Sequence, residues 1–240
     1  MRIFLIIFVL IAGTLHTSGQ VLISLLLGDK LNSDKLEFGL EGGLSLSDIN
    51  GLSPSDTKPG FNLGFYFDFK LNNSPWYLHT GVMVKSTLGA ENLDVYALSN
   101  PDLDNAFVNG SVTRKLGYFN VPVMIKYKFK NNLFVEAGPM FSLMNKSTDE
   151  FTATIQKKDD LTYKLKIKDR HHPLDAGVMG GVGYRLLKGK GVNLGIRYYF
   201  GFVDIILDDS TPAQYNRSLV VVVGIPIGAA KKAQKEIDKN

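Results

Sequence analysis

From Leu36 to Ile227 the chain repeats one pattern about eight times: ten or so residues in which every second side chain is apolar, closed by a turn or a polar loop. The clearest copy sets Phe61, Leu63, Phe65, Phe67, Phe69 and Leu71 against Gly60, Asn62, Gly64, Tyr66, Asp68 and Lys70. Period-2 alternation puts one set on each face of a strand. The same reading predicts strands near 35–46, 60–71, 76–88, 115–129, 133–144, 174–186, 192–202 and 217–228. Their connectors alternate in length. Asn72 to Pro75, Lys130 to Asn132 and Leu187 to Gly191 are tight turns, whereas 47–59, 89–114, 145–173 and 203–216 read as long polar loops.

Short turns at one end and long loops at the other are the layout of an outer-membrane barrel, with turns periplasmic and loops extracellular. An even strand count puts both termini in the periplasm. One face of the strands is apolar and uninterrupted by charge. The other carries Glu37, Glu41, Asp68, Lys70, Lys85, Lys126, Glu136, Asp175, Arg185 and Arg197, with His79 among them.

Three features turn the apolar face outward to lipid. Glycines such as Gly39 and Gly183 fall on the charged face, as a narrow, side-chain-filled lumen requires. Aromatics on the apolar face sort into two levels: Phe69, Trp76, Tyr127, Phe129 and Tyr184 at the turn end, Phe61, Phe119, Phe141, Phe200 and Phe202 at the loop end. These match the two girdles of a membrane barrel. Tilted strands of about twelve residues also cover the roughly 30 Å of a bilayer core. The expected fold is all-β: an eight-stranded antiparallel up-and-down transmembrane barrel over 35–228. Unpaired backbone groups are costly in hydrocarbon, so the first and last strands must pair.

Composition narrows the picture. The chain has no cysteine, which removes disulfides, thiolate metal sites and thiol nucleophiles. Its net charge of +4 is spread among acidic residues, and gives nucleic-acid binding no support. Arg2, the apolar Ile3 to Ala12 and the small residues Thr17 to Gly19 form a secretory signal over 1–19, in a Gram-negative cell envelope. A periplasmic linker over 20–34 follows, and a polar periplasmic tail covers 229–240.

The segments Phe38 to Gly43, Tyr118 to Tyr127, Leu133 to Pro139 and Asp175 to Gly177 resemble the PorT-like outer-membrane β-barrel domain, often labelled a porin family. The resemblance covers about 36–227 and implies an eight-stranded barrel, without implying a reaction or a solute. The family's named member is associated with protein secretion. One departure is the last strand, which ends Gly224-Ile225-Pro226-Ile227-Gly228 without the terminal aromatic common in such barrels.

The luminal charges are nearly balanced in sign, so a salt-bridge filling is expected in place of an ion path. His171 and His172, with Asp169, Arg170, Asp175 and Ser147 near them, are the one hint of hydrolytic chemistry. Adjacent histidines diverge in an extended chain, and no nucleophile motif accompanies them. No catalytic, cofactor or metal residue is therefore assigned. Between 145 and 173 two alternating runs flank Lys157 to Asp160, which reads as a hairpin continuing two strands beyond the membrane, with Tyr96, Leu98, Phe107 and Val108 packing on it. The expected role is a non-enzymatic barrel with a filled lumen and structural or partner-binding loops. A small-solute porin is the second reading and a lipid-modifying enzyme the third. Outer-membrane lipid and a protein of the cell envelope are the expected partners.

Overall fold

The computed structural model describes residues 33, 35–72, 74–155 and 158–227. The expected signal sequence, nearly all of the linker and the tail lie outside the described residues. Nine strands form: β1 (Leu36–Asn50), β2 (Asp56–Lys70), β3 (Trp76–Leu93), β4 (Ser111–Lys128), β5 (Leu133–Ile155), β6 (Lys158–Lys166), β7 (Leu174–Arg185), β8 (Asn193–Gly201) and β9 (Tyr215–Pro226). Eight of them close a ring through antiparallel pairs, with β4 on β5, β5 on β7, and β9 back on β1 from Gly39↔Pro226 to Asn50↔Tyr215. The closing pair is the one the sequence demanded. β6 stands outside the ring and pairs only with the far half of β5.

Turn chemistry explains the tight end. Asn72 and Asn132 take positive φ of 55° and 68°, a conformation asparagine tolerates better than most residues. Phe129 N donates to Leu133 O at 2.8 Å across the second turn.

The faces match the outward-apolar reading through the barrel's middle. Large apolar side chains are exposed on all eight ring strands, among them Leu44, Phe61, Val82, Phe119, Phe141, Val182, Ile196 and Val221, while Glu41, Asp68, Lys126, Glu136 and Arg197 are all at most 5% exposed. A water-soluble protein shows the reverse, since contiguous exposed apolar patches rarely exceed a few hundred Å². Phe61, Phe69, Trp76, Phe119, Phe129, Phe141, Tyr184 and Phe200 all lie exposed on this outer wall, and Tyr127 stacks edge-on between Trp76 and Phe129 at 4.7 and 4.8 Å.

The loop end differs from expectation. The long loops expected at 47–59 and 145–173 are largely strand, and the one at 89–114 is strand at both ends, because β1 to β5 run on past the apolar belt. There the alternation inverts: Ile49, Leu88, Val112, Leu116 and Phe151 point inward and are buried, whereas Lys115 and Glu150 pair on the outside. Strands leaving lipid for water must exchange their faces, so the outward-apolar signature vanishes and the segments read as loops. The β5–β6 hairpin itself was legible. A short helix α1 (Pro101–Phe107), capped by Asn100 Oδ1 accepting from Asp102 N at 3.0 Å, drives Phe107 onto Phe151 with ring centroids 5.8 Å apart. Tyr96 packs on the same ring at 5.0 Å, while Val108 remains exposed.

Candidate functional site

The lumen is filled in layers, and glycines make room for them. A β-carbon at Gly39 would collide with the Tyr66 ring, and one at Gly183 with the Phe134 ring. At the turn end, Arg185 Nη1 donates to Glu37 Oε2 at 2.6 Å and Tyr66 OH donates to Glu37 Oε1 at 3.0 Å. Glu37 and Arg185, with Asp68 and Lys128, line a vestibule of about 290 Å³ that opens toward the turns.

Above it lies the central network. The Arg197 guanidinium donates from Nη1 and Nη2 to Glu41 and from Nε to Glu136. Lys126 Nζ contacts Asp68 Oδ1 at 3.1 Å and Glu136 Oε2 at 3.1 Å, and Lys128 Nζ contacts Asp68 Oδ2 at 3.0 Å. Three carboxylates thus face three cations, the balance that buried charge requires. His79 sits at the centre, with Nδ1 2.6 Å from Asp68 Oδ1 and Nε2 3.2 Å from Arg197 Nη2. Lys126 Nζ also lies 3.0 Å from Nδ1, so the ring is held between one carboxylate and two cations.

Next comes an apolar layer of Met124, Met140, Met179 and Tyr199. The cavity between this layer and Arg197 measures about 30 Å³, room for one water. Higher still, Asn216 Nδ2 donates to Asp175 Oδ2 at 2.8 Å and to Tyr118 OH at 3.2 Å, and the apolar core under the loops closes the top.

Seven of the ten expected luminal charges therefore occupy these two polar levels: Glu37 with Arg185, and Glu41, Asp68, Lys126, Glu136 and Arg197 together, while Asp175 stands apart with Asn216. Lys70 is half-exposed and has no ion pair among the described residues. Lys85 is a correction. A β-bulge at Val84–Lys85, where the register slips between Met83 and Ser86, turns both residues outward, and Lys85 Nζ lies 5.7 Å above the Phe61 ring on the outer wall. One inserted residue reverses every face beyond it. Lys128 and Tyr66, which the alternation also puts on the luminal face, complete the network.

A second polar cluster latches the cap. Arg114 donates to Asp149 from Nε at 2.9 Å and Nη2 at 2.8 Å, Tyr96 OH donates to Asp149 Oδ2 at 2.9 Å, and Arg114 Nη1 reaches Gln214 Oε1 at 3.4 Å. Burial, and then the Asp149 charge, push the Tyr96 phenol upward, so it stays a donor. Both Arg114 and Asp149 lay in segments that read as loops. Their bidentate pair could be found only in three dimensions.

The Ser147 and His171 hint resolves into structure. Ser147 Oγ lies 3.4 Å from His171 Nδ1, but Nδ1 is 2.8 Å from Ile167 O and must carry the proton given to that carbonyl. It therefore offers no lone pair to the serine, as a general base must. Both side chains are buried. Burial lowers the His171 pKa and keeps the ring neutral. His172 points the other way, and among the described residues no group of three His, Cys, Asp or Glu is placed to hold a metal.

Comparison with solved structures finds Ail, the attachment invasion locus protein of Yersinia pestis, at TM-score 0.44 and 10% identity over 80% of this chain and 99% of that one. Neisserial surface protein A gives 0.44 and 12% over 78% and 96%, and OprG of Pseudomonas aeruginosa gives 0.34 and 12% over 80% and 93%. At these values nothing of their roles passes to this chain. No curated protein matches. The family described as outer membrane protein beta-barrel domain matches residues 29–207, most of the chain. The chain is an outer-membrane β-barrel and belongs to that family.

Proposed function

We propose that the protein is a non-enzymatic, non-conducting outer-membrane barrel whose working surface is the sheet raised at its loop end, held extracellular, with the turns and both termini in the periplasm. One observation carries this reading: the Arg197 network and the methionine layer fill the barrel's cross-section, leaving a void of about 30 Å³ between them. A barrel of eight strands has an interior just wide enough for side chains. Binding surfaces concentrate on loops carried by a rigid scaffold, and here β3 to β6 and α1 form such a platform for a protein of the cell envelope. The Tyr118–Tyr127 and Leu133–Pro139 strands support placing the chain with the PorT-like members of the family.

Planar-bilayer recording of the folded barrel tests the closed lumen. No conductance above bare membrane is expected, and discrete steps would favour a small-solute porin instead. Orientation is tested by single cysteines in this cysteine-free chain: Lys164→Cys should react with an impermeant thiol reagent on intact cells, and Asn131→Cys only after lysis. The reverse pattern would overturn the orientation. A lipid-modifying activity would require turnover that His171→Ala with His172→Ala abolishes.

A further inference from the structure

The outer wall carries one concavity that the closed lumen leaves unexplained. Where β6 parts from the ring, β5 runs on upward and β7 begins at Leu174, and the divergence opens a groove of about 580 Å³ at the loop-end rim of the belt. Its floor is Ala176, paired with Phe141. Leu143, Leu174 and Val203 wall it, and His172 stands at its upper lip. The lining is almost wholly apolar, and it continues the lipid-facing surface without a break. Small Ala176 between large neighbours is what makes the hollow.

Basic residues gather directly above it. Lys146 projects outward three residues beyond Leu143 on β5, about 10 Å farther along the strand. Lys166 and Lys168 are exposed on the returning chain that leads to His172. None of the three lysines has an ion-pair partner among the described residues, whereas Lys115 and Lys164 are already engaged by Glu150. The headgroup zone occupies several ångströms beyond the hydrocarbon edge, which is where Lys146 falls with Leu143 at that edge on a tilted strand.

We propose that this groove is a fixed site for one acyl chain of an anionic bilayer lipid, whose phosphate is met by Lys146, Lys166 and Lys168. An apolar hollow alone would take any chain. The uncompensated cations above it select the headgroup, each basic residue near a membrane surface contributing about fivefold to anionic-lipid attraction.

The test uses the full folded chain in phosphatidylcholine nanodiscs doped with either phosphatidylglycerol or phosphatidylcholine bearing a photoactivatable group on one acyl chain. Labelled peptides are then mapped. Phosphatidylglycerol should label 141–143 and 172–176 several-fold above the opposite wall at 40–44 and 61–65, and more than phosphatidylcholine does. Replacing Lys146, Lys166 and Lys168 with Gln should bring the two lipids level, and Ala176→Trp should abolish the enrichment for both. Because Ala176→Trp could disturb folding, heat-modifiable migration is checked on each variant, and the exposed lysine variants carry the test independently. Even labelling around the barrel, equal labelling by both lipids in the unaltered chain, or protein–protein cross-links through the groove from a second copy would each overturn the proposal.

Discussion

Arg197 on β8 clasps Glu41 on β1 through two parallel N–H···O bonds of 2.5 and 2.9 Å, although 156 residues separate them in the chain. The same guanidinium holds Glu136 of β5, so one side chain on β8 ties together β1 and β5, which stand on opposite sides of the ring. Arg197→Met would leave the buried Glu41 without its cation and Glu136 with Lys126 alone, and a loss of about 3–5 kcal/mol is expected. Urea unfolding in lipid bilayers, followed by emission of the single tryptophan, Trp76, measures it. The combination Arg197→Met and Glu41→Leu should recover most of the loss, because it removes one charge of each sign and leaves Lys126 and Lys128 balanced by Asp68 and Glu136. If Arg197→Met unfolds like the unaltered chain, the network is not what fills the lumen.

Lys85 distinguishes the bulged strand from a regular one. On the outer wall beside Phe61, its replacement by Leu should change stability by no more than about 1 kcal/mol, the usual range near a bilayer interface. Were it luminal, losing its charge would be far more costly. Spin labels at Lys85→Cys and Ser86→Cys give the geometry directly: the first should be broadened by a lipid-soluble relaxation agent and the second shielded.

The neutral, buried His171 makes the cap sensitive to acid. Its folded pKa lies below the ordinary 6.5, so only the opened form takes up a proton there. Stability is full above that value and is lost as pH falls below it. Protection factors over 161–172, the exchange rates divided by the intrinsic rate at each pH, should therefore fall between pH about 7 and about 5, the interval that brackets imidazole titration. His171→Asn should flatten the response. Glu150, held low chiefly by its bond to Lys115, adds a loss only at pH below its ordinary 4.5 and does not confuse the window. An unchanged profile in His171→Asn would assign the effect elsewhere.

Asp149→Asn should loosen the cap by stripping Arg114 and Tyr96 of their shared acceptor. Limited proteolysis within 94–110 is expected to speed up by at least about tenfold, in line with breaking a largely buried ion pair. Joining Arg114→Met to Asp149→Leu should return the rate toward that of the unaltered chain. Belt residues and heat-modifiability should be unaffected, since the latch lies above the apolar wall.

How far the sequence reaches can be argued from single residues. Phe61 to Leu71 announce a strand with a lipid face and a lumen face because alternation is a local property, repeated every two residues and fixed by backbone geometry. Eight such segments, alternating connector lengths and the two aromatic levels were enough for the barrel, for its closure and for the inward placement of Glu41, Asp68, Lys126, Glu136 and Arg197. Other features are not local. Lys85 and Val84 share a face only because a bulge inserts one residue, and nothing in the composition of that segment announces it. Which carboxylate Arg197 meets depends on the register of strands far apart in the chain. The hairpin of the cap was legible, but its inward-facing core was not, because strands that pass from lipid into water invert their polarity, so Leu116 and Phe151 turned inward where the belt's rule puts apolar groups outside. The alternation along the chain determined where the protein sits and which way its strands face; only the closed tertiary structure decided which charges meet, what seals the lumen and where the wall is hollow, because those depend on the distances that closure imposes.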